Sequence, residues 1–155
     1  MIKERIYIAS DHAGFVLKND VAFFLREGDY LVEDIGPREY DGEDDYNDYA
    51  DLLCGKVLED GSKGILICGT GQGMSESACR YSPQLRAEVC WNESTARHAK
   101  EHTNAHILCF GQNEVGPELA KKMVKIWLET EFVPHERHLR RQNKQKMTHE
   151  RGLNS

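Results

Sequence analysis

Short apolar runs and amphipathic stretches follow one another along the chain, and together they predict strands separated by helices. Five apolar runs have the length of buried strands and cover 6–9, 30–35, 65–67, 87–91 and 107–110. Helices are predicted between them, most clearly where apolar residues recur every three or four positions, over 15–25, 46–59, 93–102 and 119–128. Buried strands that alternate with helices indicate an α/β protein whose parallel sheet is covered on both faces.

The chain is expected to form one domain. Its 155 residues contain no internal repeat, low-complexity segment or linker, so we assign 1–155 to a single unit. Residues from about 130 to 155 form a polar, basic extension that is expected to dock as a helix or to fray. No apolar run approaches the roughly 20 residues of a membrane span. A net charge of −6 argues against a general nucleic-acid-binding protein.

The cysteines predict the redox environment of the protein. Their number is odd and no two of them have CxxC spacing: Cys54, Cys68, Cys79, Cys90 and Cys109. Reduced thiols and a cytoplasmic location therefore agree with the sequence better than a disulfide framework does.

The third predicted strand leads into the most informative segment of the chain, 68–74 (CGTGQGM). Its three glycines allow a sharp turn that brings several backbone N–H groups close to a ligand. A helix is expected to open directly after Gly73, so its positive end would face the same ligand. Cys68 lies at the mouth of this turn, where the local field favours the thiolate. An anion site beside a reactive sulfur points to an enzyme.

Polar residues follow the first predicted strand as well as the third. Asp11 and His12 come directly after the first strand, and Cys68 and Thr70 follow the third. In open α/β sheets, ligands bind beyond the carboxyl ends of strands where the strand order reverses. We therefore predict that these two strands are neighbours and that the crevice between them is the active site. His102 closes a predicted helix, and we expect it at the same ligand edge.

Three known loop chemistries agree poorly with this segment. A nucleotide-binding Walker loop needs Gly-Lys-Ser/Thr, but here Gly73 precedes Met74 and Ser75. The dinucleotide fingerprint has a different glycine spacing and follows the first strand of its fold. A cysteine phosphatase would need an arginine to close the loop, where this chain has Met74.

Histidines and charged residues outside the loop suggest further roles. His98, His102 and His106 have a spacing that could hold zinc on one helix face, but the helix is expected to end before His106. The acidic residues of 41–48 are interpreted as a solvated surface. In the basic tail, by contrast, Arg137 and Arg141 can present cations on one helical face.

Five segments, taken in order along the chain, resemble the type B ribose-5-phosphate isomerases, which are grouped with the galactose-6-phosphate and allose-6-phosphate isomerases: 8–14 (IASDHAG), 67–74 (ICGTGQGM), 85–87 (LRA), 101–102 (EH) and 137–141 (RHLRR). The resemblance implies a Rossmann-like, three-layer α/β/α sandwich with a five-stranded parallel sheet. It also implies a homodimer, or a tetramer made of two such dimers, whose active sites are built from both subunits. Neither a metal nor another cofactor is implied.

The resemblance also assigns the chemistry, an aldose–ketose isomerisation between ribose 5-phosphate and ribulose 5-phosphate through an enediolate. Cys68 would be the general base that removes the proton beside the carbonyl. The Thr70 hydroxyl and the amides of the loop would stabilise the oxyanion, including those of Gly69, Gly71 and Gly73. Asp11 and His102 would move protons while the furanose ring opens.

The remaining residues assigned by the resemblance hold the substrate. The phosphate would be bound by His12, Arg137 and Arg141, since arginine is suited to bidentate anion binding. His138 is also assigned to substrate binding. Tyr46 would line the sugar pocket, and Thr103 occupies a position that contacts the substrate in the family.

Several residues depart from the family pattern at the substrate edge. The family usually has His-Asn-Asp-x-Asn where this chain has the residues 102–106 (HTNAH), so Thr103 replaces an asparagine and His106 replaces another. Asn113 replaces a common arginine. These departures leave two alternatives open. One is an isomerase of a six-carbon sugar 6-phosphate of the allose or galactose type, and the other is a phosphosugar-binding relative without turnover.

Overall fold

Five parallel strands form one sheet at the centre of the protein, and the computed structural model describes all of residues 1–155. The strands run in the order β2-β1-β3-β5-β4, with bounds β1 Arg5–Ser10, β2 Leu31–Gly36, β3 Lys63–Cys68, β4 Ala87–Val89 and β5 Ile107–Gly111. Six helices connect or follow them: α1 Phe15–Glu27, α2 Tyr46–Asp60, α3 Gln72–Tyr81, α4 Glu93–Glu101, α5 Pro117–Glu129 and α6 Glu136–Leu153. None of these helices has the length and apolar character needed to cross a membrane.

The order of the strands confirms that β1 and β3 are neighbours. Ser10 pairs with Ile67 at the end of this ladder, so the polar residues that follow the two strands leave the sheet side by side. The prediction for β4 was too long, since the strand ends at Val89 and not at residue 91. The reason is local: Asn92 caps α4 by accepting a hydrogen bond from Thr95 N at 2.8 Å, which turns the chain away from the sheet.

The alternation of side chains along the strands divides the core into two layers. Ile6 and Ile8 point to the layer covered by α1, α4 and α5, whereas Tyr7 and Ala9 point to the layer covered by α2 and α3. Trp127 is fully buried in the first layer and Met74 in the second. Each fully buried large apolar side chain contributes about 1.5–3 kcal/mol of transfer free energy. The three-layer α/β/α prediction is confirmed.

The basic extension is a helix that leaves most of its surface uncovered. Among the 18 residues of α6, only His138 is buried. Gln142 Nε2 donates to the carbonyl oxygens of His102 at 3.3 Å and Thr103 at 3.2 Å, which ties one face of α6 to the end of α4. Of the two outcomes expected for this tail, docking as a helix is the one observed.

Candidate active site

The loop between β3 and α3 is shaped by its glycines. Gly71 has a φ of 84°, and a Cβ atom there would lie 2.9 Å from Phe110 Cα. A Cβ atom at Gly73 would lie 2.6 Å from Cζ of Tyr46, so the Tyr46 ring covers this part of the loop. The N-cap residue of α3, Gly71, has no side chain, and the first amide of the helix, Gln72 N–H, donates to Thr70 Oγ1 at 3.4 Å. The structure thus places Tyr46, which the resemblance assigns to the sugar pocket, against the glycine loop.

Cys68 ends β3 with its sulfur turned toward this loop. The residue is only 4% exposed, and its Sγ accepts a hydrogen bond from the Gly71 N–H at 3.1 Å. An N–H donor at sulfur stabilises the anionic form. The other buried cysteines lack such a loop amide, and burial raises the pKa of both Cys54 and Cys90 to about 12. Among the buried thiols, Cys68 is the one placed for chemistry.

The turn after β1 packs directly against β3. A Cβ atom at Gly14 would lie 2.5 Å from the carbonyl oxygen of Ile67, so only glycine allows this approach. Asp11 is 5% exposed and its Oδ1 accepts from Gly14 N at 3.1 Å. Burial raises the pKa of Asp11 above its usual value, although the Gly14 amide and His12 act in the opposite direction. A carboxyl group in this state holds its proton closer to neutral pH and can exchange it with a ligand.

The interpretation of 41–48 as a solvated surface is wrong for Asp44. Its side chain is 6% exposed, and its Oδ1 accepts from His12 N at 3.0 Å and lies 2.6 Å from His12 Nδ1. The hydrogen bond to Asp44 is the main reason that the pKa of His12 is raised, and burial opposes it. The sequence pattern did not distinguish Asp44 from the other acidic residues of its loop. The one signal for a role at the site was its position two residues before Tyr46.

Asp11, His12 and Asp44 also place three metal-ligating atoms within 4.8 Å of one another. The contact between His12 Nδ1 and Asp44 Oδ1 has the length of a hydrogen bond, and Asp11 is engaged by a backbone amide. We therefore assign these three residues to hydrogen bonding and derive no metal chemistry from them.

The β5 loop closes the same edge of the sheet and holds two residues that the pattern of strands did not predict. Gln112 donates its N–H to the Cys68 carbonyl at 2.9 Å and accepts from Leu17 N at 2.9 Å through Oε1. Asn113 donates its backbone N–H to Gly69 O at 3.0 Å, and its Nδ2 would lie 3.1 Å from a Cβ at Gly69. Asn113, already noted as a departure from the family, thus borders the glycine loop.

His102 does not lie at this edge, and that expectation was wrong. Helix α4 starts after the carboxyl end of β4 and carries the chain back to the amino end of β5, so its last turn lies at the opposite edge of the sheet. Arg86, which precedes β4, donates from Nε to Thr103 O at 2.7 Å and confirms this position. A helix that connects two parallel strands returns the chain along the whole length of the strands. The place of His102 in the sequence alone did not show at which edge of the sheet that helix ends.

A second cluster of predicted residues surrounds His102. Its ring stacks on His98 at 4.6 Å and lies 4.8 Å from the ring of His138. Burial, followed by the neighbouring His98 and His138, lowers the pKa of His102. Thr103 donates from Oγ1 to Ala99 O at 2.7 Å, which commits its hydroxyl to α4.

The tail residues complete the second cluster on α6. His138 is 6% exposed, whereas Arg137 and Arg141 are exposed one turn apart. His106 does not join His98 and His102, because its Nδ1 accepts from Arg86 N at 3.1 Å. Burial lowers the pKa of His106 to about 4, with a smaller contribution from Arg86.

The predicted site residues therefore form two groups within one chain. The loop group lies at the carboxyl edge of the sheet and consists of Asp11, His12, Tyr46, Cys68, Thr70 and the loop glycines Gly69, Gly71 and Gly73. The histidine group lies at the amino edge and consists of His102, Thr103, Arg137, His138 and Arg141. Their roles in binding and catalysis stay predictions at this point.

Comparison with known proteins places the chain in a family. The family model described as Ribose/Galactose Isomerase matches residues 6–145. Ribose-5-phosphate isomerase B of Escherichia coli is 37% identical over 132 residues, which cover 83% of this chain and 86% of the relative.

Two solved structures share the whole architecture. Ribose-5-phosphate isomerase B of Clostridium thermocellum has a TM-score of 0.89 and 38% identity, and the alignment covers 95% of this chain and 98% of the other. The Mycoplasma genitalium enzyme with bound ribulose-5-phosphate has a TM-score of 0.89 and 35% identity, with 97% and 99% covered. The chain belongs to the ribose/galactose isomerase family.

Proposed function

We propose that the protein interconverts ribose 5-phosphate and ribulose 5-phosphate. The observation that carries this proposal is the Cys68 sulfur, which accepts a hydrogen bond from a loop amide at 3.1 Å, at the sheet edge where the buried Asp11 follows the neighbouring strand. The family relatives named above act on this pair of sugars, and one of them is solved with ribulose-5-phosphate.

Cys68 is the base in this proposal. Its thiolate takes the proton from C2 of the open-chain aldose, and the electron pair left behind forms the enediolate with the C1 oxygen. The same thiol then returns a proton to C1, while the proton of the C2 hydroxyl passes to the C1 oxygen and C2 becomes the carbonyl carbon, so the step is balanced without a redox partner. The amides that follow Gln72 in the first turn of α3 can donate to the developing oxyanion, together with the Thr70 hydroxyl, whose oxygen accepts from Gln72 N at 3.4 Å.

Asp11 has a different task, the opening of the furanose ring. Its raised pKa results mainly from burial, so the carboxyl group holds a proton at a higher pH than an exposed aspartate does. A protonated carboxyl group can donate to the ring oxygen while a second group accepts the proton from the anomeric hydroxyl. His102, whose pKa is lowered, is neutral at pH 7 and suits that second role.

His102 can act at this site only if it comes from another copy of the chain, since the fold separates the two groups within one chain. We therefore infer a homodimer, or a tetramer made of two such dimers, in which the histidine group of one subunit completes the loop group of the other. The open surface of α6 supports this inference. Its exposed residues include Arg137 and Arg141 as well as the apolar Leu139 and Met147.

The proposed role of Cys68 is tested by removing its sulfur. In a coupled assay with ribose 5-phosphate, Cys68→Ala is expected to lower kcat by about 10²–10⁴-fold, the usual contribution of a positioned base. Cys79→Ala is the matched control, because it removes an exposed thiol of α3 whose one polar contact is Ala87 O at 3.6 Å. Full turnover by Cys68→Ala would remove the sulfur from the mechanism.

The alternative six-carbon substrates rest on the substitution at Thr103, whose hydroxyl donates to Ala99 O at 2.7 Å. This hydroxyl has only acceptor capacity left for a sugar, whereas the asparagine usual in the family could also donate. A panel of ribose 5-phosphate, allose 6-phosphate and galactose 6-phosphate in deuterated water separates the choices. The preferred substrate exchanges its C2 proton fastest, and a binding protein without turnover would exchange none.

A further inference from the structure

Asp44 is the one acidic residue of its loop that the structure buries. Its neighbours Asp41, Glu43 and Asp45 are exposed, whereas the Asp44 side chain is 6% exposed. One oxygen, Oδ1, serves both the backbone N–H and the ring Nδ1 of His12. The other, Oδ2, is buried and receives no hydrogen bond from the chain. A carboxylate that is buried in this way is stabilised by a cationic partner, and for Asp44 that partner is the His12 ring.

The contact fixes the direction of the imidazole ring. Since Nδ1 is held by Asp44, the hydrogen-bonding atom that remains is Nε2, on the far side of the ring. Nε2 makes no hydrogen bond within the chain, and the His12 side chain is 33% exposed. The Tyr40 ring packs edge-on against His12 with centroids 6.2 Å apart, which restricts rotation further. Nε2 is therefore presented to a ligand in the crevice.

The same contact sets the charge of the ring. The charged and titratable groups that face His12 are Asp11 at the end of β1, Asp41 and Asp44 from the loop before α2, and the phenol of Tyr40. All the carboxylates favour the imidazolium form, and Asp44 has the largest effect on the pKa of His12. His12 thus keeps its positive charge to higher pH than a free histidine.

We propose that Asp44 is a positioning residue that holds His12 as a charged donor, with Nε2–H aimed at the phosphate of the substrate. This inference rests on the proposed function, in which His12 binds that phosphate. Asp44 touches no reacting atom and acts through His12 alone. Its effect is therefore expected on substrate binding and on the pH range of binding, with little effect on the proton transfer at Cys68.

Asp44→Asn tests the proposal, with Glu43→Gln as the matched control. Both changes remove one negative charge from the same loop, but only the first breaks the contact with His12. At pH 8 we expect Asp44→Asn to raise KM for ribose 5-phosphate about tenfold, the loss of one charge-assisted hydrogen bond, with kcat nearly unchanged. At pH 5.5 His12 is protonated in both proteins, so the difference should nearly disappear, and Glu43→Gln should behave like the unsubstituted protein throughout. A KM ratio that is independent of pH would overturn the proposal.

A measurement without turnover separates this proposal from the proposed function. NMR of the ring nitrogens of His12, with inorganic phosphate as the probe, should show a proton on Nδ1 and a phosphate-induced shift at Nε2 in the unsubstituted protein. If no sugar phosphate is isomerised while these signals appear, the proposed function fails and the role of Asp44 stands. If His12 of the unsubstituted protein titrates at or below the pKa of a free histidine, the role of Asp44 fails, whether or not Asp44→Asn folds.

Discussion

The loop group and the histidine group are built in opposite ways, although both carry residues assigned to one reaction. The loop group consists of buried side chains held by backbone amides, where glycines let neighbouring segments approach closely. The histidine group lies on the ends of α4 and α6, where rings stack on one another and most side chains face solvent. The first group is fixed once the chain has folded. The second has its geometry within the chain but, in the proposed function, reaches a substrate only through assembly.

The largest expected effect is the loss of the loop group through a glycine. Gly71→Ala combines a positive φ with a Cβ atom 2.9 Å from Phe110 Cα, and we expect it to lower the free energy of unfolding by about 2–4 kcal/mol. Gly61→Ala is the control, since its φ is 74° but nothing lies within 4 Å of its Cβ position. It should cost only about 1 kcal/mol. Denaturant unfolding of both variants measures the difference, and equal losses would refute the close packing of the loop.

A substitution in the histidine group should have the opposite effect, because it should lower turnover and leave the free energy of unfolding nearly unchanged. The His102 side chain is 41% exposed, so His102→Asn should leave the unfolding midpoint within about 0.5 kcal/mol. Turnover should fall about 10²-fold, as expected when a proton-transfer group is removed. His98→Asn is the control on the same helix, since His98 stacks on His102 but has no assigned role. Parallel loss of activity in both variants would mean that the stack, and not His102, matters.

The smallest expected effect is the pH dependence of stability that His106 causes at the amino edge of the sheet. The pKa of His106 is lowered to about 4 in the folded protein, below its ordinary 6.5. Between these two pH values the unfolded chain therefore binds a proton at His106 and the folded chain does not. Stability contributed by neutral His106 is therefore complete above pH 6.5 and is lost as the pH falls toward 4. After allowance for the solvent exposure that remains, we expect a loss of about 1–2 kcal/mol over this range. His106→Gln should flatten the pH dependence of unfolding, and an unchanged slope would contradict the assignment.

The loop group was predictable from the sequence because it depends on local rules, whereas its separation from the histidine group was not. Apolar runs predicted the strands, and the glycines after β3 predicted a tight loop next to β1. Two features were not predicted from the sequence, each for a physical reason. The burial of Asp44 depends on how the loop before α2 crosses the β1 turn, which no local pattern records. The position of His102 depends on the direction in which α4 returns across the sheet, so residues that served one predicted site lie at opposite edges.

Mixed dimers test the central claim, that the two groups belong to one site supplied by two chains. Cys68→Ala and His102→Asn each inactivate one group, and co-expression with different tags allows the mixed species to be purified. Because each mixed dimer has one site with both groups intact, random pairing predicts about a quarter of the unsubstituted activity in the whole population. The purified mixed dimer should therefore turn over ribose 5-phosphate while either variant alone does not. A mixed dimer as inactive as both parents would contradict the shared site.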